Sequence, residues 1–396
     1  MVTHSSAKTF VTLANSIYTD RPIPLHRPVF AGPEREWLVE CIDSNFVSSV
    51  GARVVEFEQR VAQFVGARFA VAVVNGTNAL HVALRLAGVE PGSEVITQPL
   101  TFVATCNAIA YAGAVPVFVD VDADTLGLSP EALERFLKTH AVIRDGRTVN
   151  RHSGRPLAAC MPMHTFGLPC RIQAIVDICN RYDVPVVEDA AESLGSWADG
   201  RHTGTVGQSG VFSFNGNKII TTGGGGMIVT DDPALAQRAR HLTTTAKQPH
   251  PYEFVHDELG YNYRMPNLNA TLGCAQMEQL PVFLERKREL HERYARFFAD
   301  TGIALVTEPE GTRANHWLNA IVLPDRDSRD AFLQQTNDAG VMTRPIWRLM
   351  TSLPMYAPCQ HDGCAVAADL EQRVVNLPSS VPVDADGHIV ERIGGL

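Results

Sequence analysis

The chain has 396 residues, 45% of them hydrophobic, enough to bury a large core and to form two or three structural units. Its formal net charge is -9 and no run of lysine and arginine could track a phosphate backbone, which argues against nucleic acid as a partner. No stretch reaches the roughly 18 apolar residues of a membrane span, and the N-terminus lacks a charged segment followed by an apolar one, so a cytoplasmic protein with no membrane partner is expected.

From about residue 66 short apolar runs alternate with longer helical patterns. ARFAVAVVN (67–75) reads as a buried strand ending at the turn Asn75-Gly76, and Thr77 to Leu86 as a helix. SEVITQ (93–98) reads as a strand, FVATCNAIAYAG (102–113) as a helix ending at Gly113, and VPVFVDVD (115–122) as a strand. Ser129-Pro130-Glu131 is a start signal for a helix from Leu128 to Thr139. Strands at 157–164, 184–190, 210–215 and 226–232, with helices at 171–182 and 233–242, complete the series. This alternation predicts an α/β protein with a mainly parallel sheet covered by helices on both faces.

Beyond it, TTTAKQPHPYEF (243–254) reads as an exposed loop. A long helical pattern over 266–300, with a break at Pro281, bridges to a second unit of roughly 100 residues. That unit has a strand at 317–323, a helix near 328–337 and a proline-rich tail. The eight cysteines are scattered through a chain too large to need disulfide staples, and most are expected as reduced core residues. CQHDGC (359–364) has metal-binding chemistry but no second half of a ligand set, so no metal is assigned.

Only five of the 34 basic side chains are lysines: Lys8, Lys138, Lys218, Lys247 and Lys287. Lys218 lies in FSFNGNKIITTGGGGMI (212–228), an otherwise uncharged stretch. An amine can lose its proton and attack a carbonyl, whereas a guanidinium cannot. Asn217 before the lysine and Ile219 after it exclude a Walker motif, and the glycines 223–226 lack dinucleotide-binding spacing. Their expected role is to let the chain fold back closely beside the lysine.

In a doubly wound sheet, ligands gather at the carboxyl ends of strands. Asn75-Gly76-Thr77-Asn78 offers helix-start amides suited to a phosphate there, although alone it reads more readily as a turn and cap. Asp189 and Glu192 follow the apolar strand PVV, and His164 ends another strand; each has an ordinary structural explanation by itself. Together, a phosphate-binding turn, a strand-end aspartate and a lone lysine match the needs of pyridoxal 5'-phosphate. The lysine forms the Schiff base, the aspartate keeps the pyridine nitrogen protonated, and the helix start binds the phosphate. Phe102 is placed to stack on the ring.

The stretches NGTNALHVAL (75–84), PLTFVATCNAI (99–109), GAVPVFVDVDADTL (113–126), EDAAESLGS (188–196), residues 212–228 and GYNYRMPNLNATLG (260–273) resemble the DegT/StrS-type sugar aminotransferases. The likeness runs in order over roughly residues 20 to 396. It implies the aspartate aminotransferase-like fold type I: a large, mainly parallel seven-stranded sheet domain and a smaller C-terminal α+β domain. The implied division is an N-terminal arm (1–30), a large cofactor-binding domain (31–275), and a bridging helix with the small domain (276–396).

The resemblance also implies roles. Lys218 and Asp189 are the expected catalytic pair. Gly76, Thr77, Asn78 and Ser213 are expected at the phosphate, Phe102 on the ring, and Asn262 on the cofactor of a neighbouring subunit, which implies a homodimer. Glu192 stands where many relatives carry histidine or glutamine near the cofactor's phenolic oxygen, and its role is left open. Within the family, stretches such as IPLHRPVF (23–30) and RPIWRLM (344–350) look most like the branch aminating UDP-linked 4-keto-6-deoxy-N-acetylhexosamines in bacillosamine and legionaminic acid pathways. The implied reaction moves the amino group of L-glutamate to sugar C4. Ser48, Ser49, His164, Trp317, Arg344 and Trp347 are the expected substrate residues. The alternatives are a GDP- or dTDP-linked keto sugar, an eight-carbon keto sugar, or a non-catalytic regulatory protein on the same fold.

Overall fold

The structure, a computed structural model, describes residues 2–393. Seven strands build the large sheet: β1 (Phe69–Val73), β2 (Glu94–Thr97), β3 (Val115–Phe118), β4 (Leu157–Met161), β5 (Val187–Asp189), β6 (Ser209–Ser213) and β7 (Gly226–Thr230). One ladder runs β3-β2-β4 and another β5-β6-β7-β1, and parallel bridges Cys160–Val186 and Met163–Asp189 join them through β4 and β5. Within this sheet β7 runs antiparallel to both its neighbours, β6 and β1.

The helices, in chain order, are α1 (Val2–Ile17), α2 (Glu34–Asp43), α3 (Ala52–Val65), α4 (Gly76–Leu86), α5 (Val103–Tyr111), α6 (Pro130–His140), α7 (Ile172–Asn180), α8 (Pro233–Thr243), α9 (Asn267–Phe298), α10 (Arg326–Asp338) and α11 (Ala365–Arg373). None is long and apolar enough to cross a membrane among the described residues. Alternate strand residues feed opposite layers, as the pleat requires. Val71, Val73, Val95 and Ile228 pack with α4, α5 and α8 on one face. Ile96 and Val117 pack against α6 and α7 on the other, where Ala70, Ala72 and Met227 meet α3 and α9. Because both faces are covered, β1, β3 and β4 are apolar throughout, while β2, β5 and β6 also carry polar residues.

The antiparallel β7 decides where Lys218 goes. Parallel neighbours need a crossover that carries the chain to the other end of the sheet, whereas antiparallel neighbours can be joined by a loop. Residues 214–225 form that loop, so Lys218 stays at the carboxyl end of β6. Three of the four glycines are required there, Gly225 because a Cβ would lie 2.2 Å from the Thr222 hydroxyl oxygen. Gly223 has φ +79°, and a Cβ on Gly226 would lie 2.4 Å from the carbonyl oxygen of Asn75.

The second unit centres on a four-stranded antiparallel sheet of β8 (Ala304–Leu305), β9 (Asn319–Val322), β10 (Arg344–Pro345) and β11 (Val374–Leu377), ordered β8-β9-β11-β10. The expected proline-rich tail therefore contains α11 and the central strand β11. The N-terminal residues form the helix α1, whose Phe10 packs against Phe332 and Tyr294, each at 5.7 Å between ring centroids. The expected break at Pro281 is absent, since α9 is continuous through it. Leu280, Phe283 and Leu290 are fully buried along this helix, and that packing outweighs the roughly 3 kcal/mol cost of an interior proline. The 243–254 loop is exposed at Tyr252 and Phe254, but Thr243 and Ala246 at its start are buried.

Candidate active site

The carboxyl ends of β4, β5 and β6 and the N-termini of α4 and α5 surround a cleft of about 310 Å³. Lys218, Asp189, Glu192, Gly76, Thr77, Ser213, Phe102, Trp317 and Trp347 all line it. Three sides have distinct chemistry.

The first side is the start of α4. Asn75 caps the helix by accepting the Asn78 amide on its side-chain oxygen at 2.8 Å, which occupies the Asn78 N–H expected for phosphate. The Gly76 and Thr77 amides precede any intrahelical partner. A Cβ on Gly76 would come within 3.0 Å of the Ser213 side chain, so this glycine lets the helix start approach the end of β6.

Asp189 forms the second side. It is 2% exposed, with Oδ1 accepting the Ala191 amide at 3.2 Å and Oδ2 accepting the Thr105 hydroxyl at 2.7 Å. Thr105 is in turn 2.7 Å from the Thr101 hydroxyl. Burial raises the Asp189 carboxyl above its ordinary range, against the opposing pull of the Thr105 hydrogen bond. Among the described residues Asp189 has no ion-pair partner within salt-bridge distance, so its charge is available to a ligand's N–H.

On the third side Lys218 Nζ lies 3.2 Å from Glu192 Oε1 and 4.0 Å from the centroid of the Trp317 ring. The other Glu192 oxygen accepts the Phe166 amide at 2.9 Å. Burial pushes the Glu192 carboxyl up to about 7, against the opposing charge of Lys218. Phe102 is 48% exposed at the mouth, its ring 6.1 Å from that of Trp347.

Residues 31–393 match the model of the DegT/DnrJ/EryC1/StrS aminotransferase family. The chain belongs to this family. The protein of Bacillus subtilis (strain 168) named "Putative pyridoxal phosphate-dependent aminotransferase EpsN" is 37% identical over 378 residues, covering 94% of this chain and 95% of EpsN. The GDP-perosamine synthase of Escherichia coli O157:H7 is 36% identical, covering 90% of this chain and 93% of its own. Among solved structures, the aminotransferase TlmJ from Streptoalloteichus hindustanus superposes with a TM-score of 0.82 at 29% identity, covering 92% of this chain and 95% of its own. Fold type I and pyridoxal phosphate come with membership of the DegT/DnrJ/EryC1/StrS family.

The residues present fit that cofactor. A buried carboxylate available to a protonated ring nitrogen, helix-start amides for a phosphate and a primary amine face one small cleft, as the donor set of pyridoxal phosphate demands.

Not every expected site residue reaches it. His164 is completely buried outside the cleft, with Nε2 3.0 Å from Glu188 and Nδ1 accepting the Cys170 amide at 3.2 Å. Glu188 also accepts the amides of Gly204, Val206 and Gly207, so this pair ties β4 to the loop before β6. That is a packing position rather than a substrate contact. Ser48 and Ser49 are exposed elsewhere, Ser49 in a groove of about 740 Å³ beside Trp37, Phe46 and Arg53. Asn262 is exposed and also outside the cleft. Arg344 lines a second cleft of about 450 Å³, which adjoins the first by sharing Asn217, Trp317 and Trp347.

Sequence reasoning missed Thr105 and Asn217. Thr105 sits three residues after Phe102, one helical turn into α5, a spacing that puts both on the face toward the cleft. Asn217 gave no signal, since its backbone carbonyl, not its side chain, accepts the Trp317 indole N–H at 2.7 Å.

Proposed function

We propose that this chain transfers the amino group of L-glutamate to C4 of a nucleotide-linked 4-keto-6-deoxy sugar, with UDP-2-acetamido-2,6-dideoxy-4-hexulose as the favoured acceptor. The observation that carries the reading is the convergence of Lys218, Asp189 and the α4 start on one cleft, beside a second cleft lined by Arg326, Arg329, Arg344 and Arg348. Guanidinium groups there suit the diphosphate of a nucleotide sugar whose hexose reaches toward Lys218.

Bound in the first cleft, pyridoxal phosphate supplies an electron-accepting ring that stabilises negative charge at an adjacent carbon. Asp189 holds the ring nitrogen protonated and so sustains that capacity. Gly76, Thr77 and Ser213 hold the phosphate, and Phe102 covers a ring face. Lys218 is the acid–base group: its Nζ takes the α-proton of the amino donor in one half-reaction and delivers a proton to sugar C4 in the other. Trp317 and Glu192 fix the amine's position, while Trp347 borders the passage between the two clefts. The two half-reactions use one site in turn, so ping-pong kinetics are expected.

A GDP-linked acceptor is the second reading, favoured by the 36% identity to a GDP-perosamine synthase. We further propose a homodimer, because Phe46, Val47 and Val50 are exposed together beside Ser48 and Ser49, an apolar edge that a second copy would cover. Mass spectrometry of reactions containing glutamate and UDP-, GDP- or dTDP-linked 4-keto sugars tests the substrate. Amination of the UDP sugar alone supports the first reading. Amination of the GDP sugar alone selects the second, and a colourless protein that takes up no cofactor overturns both.

A further inference from the structure

Glu192 is the carboxylate nearest the amine of Lys218, and the sequence left its role open. It is 3% exposed, and its two oxygens are committed differently: Oε2 to the Phe166 amide at 2.9 Å, Oε1 to Lys218 Nζ at 3.2 Å. The first bond fixes the carboxyl against the backbone of the segment after β4. The second aims it at the amine.

An amine bonds to a carbonyl carbon only when unprotonated, because the nucleophilic lone pair is otherwise occupied. The Lys218 side chain is 12% exposed, so solvent has little access to remove its proton. The Trp317 face on its other side can hold an ammonium but cannot accept a proton. The groups facing Glu192 that carry charge are Lys218 and, more distantly, Asp189.

We propose that Glu192 is the proton-transfer partner of Lys218, accepting a proton from the ammonium each time the amine must bond to carbon and returning it when that bond is released. One N–H bond breaks at Nζ and one O–H bond forms at Oε1, leaving a neutral amine beside a neutral carboxylic acid. No charge is created in the buried site by this step. The raised carboxyl, at about 7, is consistent with such an exchange, since a buried carboxyl of this kind takes up a proton readily near neutrality. Glu192 acts through Lys218 and is a positioning residue in that sense.

The inference rests on Lys218 being the lysine that bonds pyridoxal phosphate. Its test is the rate at which cofactor-free protein acquires visible absorbance after mixing with pyridoxal phosphate, followed from pH 5.5 to 9. In the wild type the rate is expected to rise through an inflection near pH 7 as the Glu192 carboxylate forms. Glu192→Gln keeps an oxygen for the Phe166 amide but cannot accept a proton from Lys218. It should lose the inflection and react at least tenfold more slowly at pH 7.5, while reaching the same final absorbance; Glu192→Asp should regain part of the rate. A Glu192→Gln protein with the wild-type rate and pH profile overturns the inference alone, as does one slowed equally at every pH. A wild-type protein that takes up no pyridoxal phosphate overturns the cofactor reading and the inference with it.

Discussion

Trp317 and Lys218 are held together from two directions. The amine lies 4.0 Å from the centre of the indole ring, and the indole N–H donates to the carbonyl of Asn217, the residue preceding the lysine, at 2.7 Å. Trp317 comes from the segment before β9 and Lys218 from the β6–β7 loop, so this contact joins the second unit to the Lys218 amine. Trp317→Phe keeps an aromatic face but removes the N–H. Loss of one hydrogen bond of about 1 to 1.5 kcal/mol predicts a fall in kcat/KM of roughly tenfold with cofactor uptake retained. Trp317→Ala should fall further, since the face is lost as well. Steady-state kinetics beside the bound-cofactor spectrum checks this; wild-type turnover in Trp317→Phe would count against it.

The Thr105 hydroxyl is the side-chain donor that stabilises the Asp189 carboxylate. Burial already raises that carboxyl, and the hydroxyl opposes the shift. Thr105→Val removes the opposing hydrogen bond, so the protonated form becomes easier to reach. In the role proposed for it, Asp189 must be ionised to hold a protonated ring nitrogen, and activity should therefore be lost earlier on acidification. The acid limb of the kcat profile is expected to move to higher pH by about one unit. An unmoved acid limb in Thr105→Val means that Asp189 does not govern it.

The large unit was legible in the sequence because each strand is a short apolar run bounded by turn residues, and because each chemical group falls at a strand end. Lys218 was visible as an amine among arginines, and Asp189 as a carboxylate leaving a buried strand. His164 had the same signature as Asp189, an ionisable group at the end of a strand. Only the structure distinguishes them, since one faces the cleft and the other faces Glu188. The strand Val374–Leu377 escaped notice because Asn376 interrupts its apolar run and Pro378 follows it directly, so it read as part of the proline-rich tail. The continuity of α9 through Pro281 was hidden for a related reason: local chemistry forecast a break, and distant packing overrode it.

Lys287 is a second lysine with a defined place. It is fully buried on α9 and donates to the carbonyls of His316, Trp317 and Ser379 at 3.4, 3.1 and 2.6 Å. Burial lowers its amine to about 7. The folded value lies below that of the unfolded chain, so unfolding takes up a proton between pH 7 and about 10, and stability rises with pH through that window. Lys287→Met takes away the donor to these carbonyls, a loss of about 3 kcal/mol, and removes this titration. The cost of the substitution should therefore be larger at pH 9 than at pH 6. Urea denaturation of both proteins at the two pH values measures it; a smaller cost at pH 9 contradicts the assignment.

The glycines 223–226 make unequal demands. A methyl group on Gly226 would sit 2.4 Å from the Asn75 oxygen and 2.8 Å from the Gly76 amide nitrogen, and both atoms are backbone. Nothing flexible is available to give way, so Gly226→Ala must separate β7 from the turn that heads α4. That turn supplies the amides assigned to the phosphate, and affinity for pyridoxal phosphate is expected to fall at least tenfold, about 1.4 kcal/mol. Gly224→Ala is the control, since its nearest contact would be the Val74 oxygen at 3.6 Å, an ordinary van der Waals distance. Its affinity should stay within about twofold of the wild type. Fluorescence or absorbance titration with pyridoxal phosphate separates the two variants. If both bind alike, the close approach of Gly226 to Asn75 does not shape the phosphate site.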